Sequence, residues 1–175
     1  MNPQSNDPLR YIAGYAPELK TQVQAMIDKQ SLAKYLKKYS KTHNIVNDKA
    51  LRDYVMNIKN HYMRKSVPLS KVVFDNKIHV LNNALGLHTY VSRVQGGKLK
   101  GNNEIRIAAI FKKAPAEFLN MIVVHELAHL KEKDHNKNFY QLCQHMLSDY
   151  HQLEFDMRLY LMQQEIITLT SSKKI

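Results

Sequence analysis

The sequence predicts an α+β fold, with N-terminal helices, a small three-stranded sheet, a helix carrying the motif HELAH, and C-terminal helices. Three observations lead to it. Apolar residues recur at spacings of three and four from Leu19 to Met63, a Val-, Ile- and Tyr-rich region follows from Lys71 to Phe111, and the helical period returns after Pro115. At 175 residues with 44% hydrophobic content, the chain can build a real core. One unit is expected over residues 10–170, with 171–175 as a flexible tail.

Pro17 opens a segment in which Leu19, Val23, Met26, Ile27, Leu32, Tyr35 and Leu36 share a face, so one or two amphipathic helices are expected up to about Tyr39. Asn47 or Asp48 can cap the next helix, whose apolar face runs through Leu51, Tyr54, Val55, Ile58, Tyr62 and Met63 and stops before Pro68. Lys71–Val80 and His88–Gln95 read as strands, separated by the turn formers Asn82, Asn83 and Gly86. Gly96 and Gly97 break the second, and Asn103–Phe111 reads as a third, alternating polar and apolar in its first half. Pro115 suits the first position of a helix, and Glu117 meets the positive end of its dipole. That helix should reach Lys131 or Lys133, followed by helices from Asn136 to Leu147 and from Tyr150 to Leu169.

Twenty-six Lys and Arg against fifteen Asp and Glu give a net charge of +11, which favours anionic partners: nucleic acid, nucleotides or acidic peptides. The first fifteen residues lack the apolar core of a secretory signal, and no apolar run approaches the roughly 20 residues that cross a bilayer. A single cysteine, Cys143, rules out an internal disulfide and fits a reducing compartment, so a cytoplasmic protein with no membrane partner is expected. Phe139, Leu142 and Met146 surround Cys143 at helical spacing, the setting of a buried structural thiol.

The chemistry is concentrated in His125, Glu126, Leu127, Ala128 and His129. On a helix, residues four apart lie one turn above each other, so both imidazoles can reach one cation. Glu126 lies about 100° round the helix, where its carboxylate can serve as general base to a water on the metal without binding the metal itself. The preceding residues Phe118, Leu119 and Met121 to Val124 are apolar nearly all round, so the motif is carried into the interior. A catalytic zinc takes three protein ligands and leaves a position for water. His135, ten residues after His125, has the first-to-third spacing of the HExxHxxGxxH pattern, although Glu132 stands where that pattern has glycine. The Lys133–Asn136 stretch can make the turn instead. His145, His151 and Glu154 are rival third ligands.

The stretch MIVVHELAHLKEKDHNKNFYQLCQHM (Met121 to Met146) resembles the YgjP-like metallopeptidases. The resemblance extends to residues 83–108, to 48–60 and to 150–161. It implies a minimal zincin-like fold, helices packed on a small sheet, and one Zn2+ per chain held by His125, His129 and His135. The family is itself similar to the SprT-like metalloproteases, which act on protein attached to DNA, while some of its members are labelled nucleotide hydrolases.

A peptide or protein substrate, cut by a zinc-activated water with Glu126 as base, is the leading expectation. A nucleoside triphosphate hydrolase is the alternative, and a nucleic-acid-associated protease or binding domain the third reading. In zincins the strand before the motif helix commonly pairs with an extended peptide, and Asn103–Ile110 has that place. A group stabilising the developing oxyanion is expected among His88, Arg106, Tyr140 and His151. Arg93, Lys98, Lys100 and Arg106, with Lys112 and Lys113, lead towards the motif helix, and a second basic run holds Lys29, Lys34, Lys37, Lys38 and Lys41. Such cations either line a cleft for phosphates or form a solvated face that keeps the chain soluble.

Overall fold

A computed structural model describes the backbone of residues 7–78, 86–95 and 98–172, and the side chains of residues 7–78 and 103–171. The chain divides into two compact units, residues 1–40 with 152–175, and residues 41–151.

In the first unit, a 3-10 turn at Pro8–Ile12 is capped by Asp7, whose carboxylate accepts from the Leu9 N–H. Helix α1 (Pro17–Asp28) starts at Pro17 and ends where Gln30 turns left-handed at φ 53°, before the short α2 (Leu32–Leu36). The long C-terminal helix runs from Tyr150 to Ser172, and most of it belongs to this unit. It therefore takes in Ser171 and Ser172, which were expected in a tail; residues 173–175 lie outside the described residues. Its Asp156 is fully buried and accepts from the Tyr35 and Tyr39 hydroxyls, with the Lys38 ammonium 3.0 Å away. A buried carboxylate is tolerable only with such partners.

The second unit begins with α3 (Asp48–Tyr62), whose N-terminus is closed by the Asn47 side chain accepting from the Ala50 N–H. Strands β1 (Leu69–Asp75), β2 (Gly86–Gln95) and β3 (Lys98–Ala108) form the three-stranded sheet. Strand β1 ends where Asp75 accepts from the Lys77 N–H, five residues before the expected end; residues 79–85, with the turn expected at Asn82 and Asn83, lie outside the described residues. The order is β1-β3-β2, with β1 parallel and β2 antiparallel to β3. Ile105 and Ile107 are fully buried while Glu104 and Arg106 are only partly buried, the alternation expected of a sheet with one face on the core.

Two expectations about this strand are corrected. It ends at Ala108, and Ala109–Lys112 form a 3-10 turn, because the pairing partners run out: Ala108 is the last residue opposite β1, and Ile107 the last opposite β2. Strand β3 is also central, so residues 103–107 already pair on both sides. Over 103–107 this strand has no free edge of its own, and the outer strands of the sheet are β1 and β2.

Helix α4 (Ala116–Ala128) packs on the sheet and α3. Phe118, Leu119, Met121, Ile122, Val123, Val124, Leu127 and Ala128 are all buried, so the helix is apolar round nearly its whole circumference, as its sequence implies. It is shorter than expected. Beyond Ala128 the N–H groups of Leu130 and Lys131 bond three residues back, which tightens the turn and ends the helix. Helix α5 (Lys137–Met146) lays Phe139, Cys143 and Met146 inwards, and the Cys143 thiol is buried. The C-terminal helix, α6 (Tyr150–Ser172), starts in this unit. No helix among the described residues is long and apolar enough to cross a membrane.

Candidate metal centre

His125 stands on the last full turn of α4, His129 at its C-terminal boundary, and His135 in the connection to α5. The three are brought together: His135 Nε2 lies 3.2 Å from His125 Nε2 and 3.1 Å from His129 Nε2. They are the only group of three or more His, Cys, Asp or Glu among the described residues with the geometry to hold an ion.

The donor chemistry fits a cation. Two tetrahedral nitrogens at 2.0–2.1 Å from one zinc would stand about 3.3 Å apart, close to these separations. A neutral imidazole nitrogen makes a single hydrogen bond, so His135 Nε2 cannot satisfy both neighbours that way. The opposite ring nitrogens favour the same conclusion. His129 Nδ1 is 2.9 Å from the Glu132 carbonyl, which only accepts; Nδ1 therefore carries the proton, and Nε2 presents a lone pair to the centre. His125 Nδ1 is 2.6 Å from the hydroxyl of Tyr150, which can accept from it in the same way.

The connection achieves this without the glycine of the longer pattern. Glu132 replaces it, and among the described residues Gln30 is the one non-glycine with positive φ, so nothing from 129 to 136 is left-handed. Successive i→i−3 and i→i−4 bonds carry the chain off α4, and the Asn136 N–H bonds to the Asp134 carbonyl. The Asn136 side chain donates to the Glu132 carboxylate at 3.2 Å and accepts from the Phe139 N–H, capping α5. Asp134 and Asn136 thus make the turn assigned to them.

Glu126 is 2% exposed, next to His125 on α4. Two residues at the centre were not singled out from sequence. The ring of Phe139 lies 5.0, 4.7 and 4.7 Å from those of His125, His129 and His135, an apolar wall touching all three. Tyr150, fully buried, holds His125. Their one sequence signal was placement: Phe139 is four residues after His135 on the buried face of α5, and Tyr150 opens α6.

The other candidates separate. Tyr140 is half-buried beside the centre, 6.3 Å from His135 ring to ring, and His151 is exposed, 5.2 Å from Tyr140. Arg106 is held by Asp75 at 3.1 Å and Glu104 at 3.2 Å, and these two carboxylates raise its pKa. The side chains of His88, Arg93, Lys98 and Lys100 lie outside the described residues. The rival ligands are elsewhere: His145 packs on Tyr62, His151 on Tyr140, and Glu154 bonds to Arg158 at 2.8 Å.

The chain is 60% identical over 156 residues to the UTP pyrophosphatase of Escherichia coli (strain K12), covering 89% of this chain and 93% of that protein. No solved structure gives a significant match. The YgjP-like metallopeptidase domain matches residues 3–160, nearly the whole chain. The chain therefore belongs to the YgjP-like metallopeptidase family and is a hydrolase.

Proposed function

We propose that this protein is a zinc-dependent nucleoside triphosphate hydrolase that releases pyrophosphate, with His125, His129 and His135 as ligands and Glu126 as general base. The carrying observation is the convergence of three Nε2 atoms, with the opposite nitrogen of two of the rings taken up by Glu132 and Tyr150. Among metals that accept imidazole, zinc is favoured by a three-nitrogen set that leaves a fourth position open.

When bound, the cation acidifies water and polarises the centre under attack. Glu126 takes the proton of the attacking water. The water oxygen bonds to the α-phosphorus, the bond from that phosphorus to the α–β bridging oxygen breaks, and the oxygen leaves with pyrophosphate. Glu126 returns its proton to the products. Phe139 keeps bulk water from one side of the histidines.

Substrate class rests on three supports. The relative at 60% identity is named for UTP. Residues 41–151, which contain the centre, carry seventeen Lys and Arg against nine Asp and Glu, so most of the excess positive charge is in that unit. The peptide-pairing role expected of β3 has no free edge to act through. Peptide hydrolysis, the leading expectation from sequence, remains the second reading because the matching family is described as a metallopeptidase domain.

The test is to assay metal-loaded protein and its Glu126→Gln variant against nucleoside triphosphates, casein and a peptide library. Pyrophosphate release from nucleotides, reduced about 10²- to 10⁴-fold in the variant while metal stays bound, is expected. Glu126-dependent cleavage of peptides without pyrophosphate release would reverse the two readings.

A further inference from the structure

We infer that Tyr140 and His151 form a stacking platform for the nucleobase of the substrate, an inference that rests on the nucleotide reading above. The two rings stand 5.2 Å apart, tilted by 37°, and Tyr140 is in turn 6.3 Å from His135. They make a chain leading from the ligand triangle outwards. A ribose puts a comparable separation between the first phosphate of a nucleotide and its base.

Burial separates this pair from the aromatics that build the core. Phe139 and Tyr150, the sequence neighbours of Tyr140 and His151, are fully buried, whereas Tyr140 is half-buried and His151 exposed. Core packing accounts for the first two. Tyr140 meets Phe139 at 5.3 Å and His151 meets Tyr150 at 5.6 Å, so these two rings, on two different helices, extend the buried cluster to its exposed end. An aromatic face exposed to water can take a base because every base offers a π-face, and stacking of this kind tolerates differences in base identity. The platform would hold the base while the phosphates meet the cation, so it acts on affinity for the nucleotide and not on the proton transfer assigned to Glu126.

The experiment compares the KM for UTP with the inhibition constant of inorganic tripolyphosphate, which has the phosphates and no base, in four variants. In Tyr140→Ala and His151→Ala the KM for UTP should rise about tenfold relative to the tripolyphosphate constant. In Tyr140→Phe and His151→Phe, which keep a ring, the ratio should stay near that of the parent. Metal content and thermal melting of each variant identify misfolding, and the exposed His151 gives a pair independent of any packing role of Tyr140. Equal changes for both compounds, or no change in the alanine variants, overturn the platform. Loss in the phenylalanine variants as large as in the alanine ones also overturns it, because the polar atoms would then be acting. Parent protein that hydrolyses no nucleotide defeats the nucleotide reading and the platform with it, whereas an active parent with an unmoved ratio defeats the platform alone.

Discussion

Replacing Tyr150 by Phe removes one oxygen and leaves the ring. The ring can stay where it is, 6.3 Å from both His125 and Tyr140, and the α6 N-terminus keeps its Tyr150 N–H to Leu147 carbonyl bond, which any residue supplies. What is lost is the 2.6 Å contact that orients His125. Partners of metal ligands are worth about 10- to 100-fold in metal affinity, and the position is fully buried, so no water replaces the hydroxyl cheaply. A loss in that range, about 1.4 to 2.8 kcal/mol, is expected in a chelator-competition titration with zinc. Thermal melting provides the control: with excess metal the melting point should fall more than it does in the metal-free protein, because the variant weakens binding and not only folding. Zinc affinity within twofold of the parent would refute the assignment, as would a stability loss of the same size in metal-free protein.

Three further outcomes follow from the same geometry. His135→Ala should reduce metal affinity more than Tyr150→Phe does while keeping the fold, since His135 is exposed and lies between helices; equilibrium dialysis and circular dichroism check the two halves, and stoichiometric zinc in the variant would refute its role as ligand. Asp75 has its pKa lowered, first by the Lys77 N–H and further by Arg106, so its contribution to stability is present above the ordinary carboxylate range and lost as pH falls through the lowered value. Denaturant titrations of Asp75→Asn should therefore show a smaller loss of stability between about pH 5 and pH 2 than the parent shows, and parallel curves would refute this. Glu132→Gly, which restores the glycine of the longer pattern, should lower stability by about 0.5 to 1 kcal/mol and leave zinc affinity no better, because this turn needs no left-handed residue and loses the Asn136 bond; tighter zinc binding would show that the turn is strained.

The centre was legible where it depends on local periodicity or fixed spacing. His125 and His129 follow from the helical period, and the ten-residue interval to His135 carried the third ring, with Asp134 and Asn136 supplying turn and cap chemistry. Tyr150 and Phe139 were not legible, since their roles require α5 and α6 to return to α4 and no spacing encodes that. The same limit applies to the sheet. Three strands could be read from alternation in NEIRIA and from β-branched runs, but chain order does not state that the last strand lies in the middle. Strand ends were missed for a related reason: β3 stops where its neighbours stop, at Ala108, and a strand's partners are not in its own sequence.

That distinction between local and returning structure bears on substrate as well. In the proposed mechanism a cation held by three imidazoles beside a buried carboxylate would supply an activated water, and such a water attacks carbonyl carbon or phosphorus equally in principle. HELAH therefore specifies the reagent and leaves the substrate to its surroundings. An extended peptide is best held by a strand with unpaired N–H and C=O groups beside the motif helix. Here the strand in that place has spent those groups on β1 and β2. A nucleotide needs no strand edge; it needs positive charge for its phosphates and a flat apolar surface for its base. Residues 41–151 offer the charge in their composition, and Tyr140 with His151 offer the surface at the edge of the histidine cluster. On the reading proposed above, the same peptidase-type site, in a sheet closed on both sides of β3, would act on phosphoanhydrides.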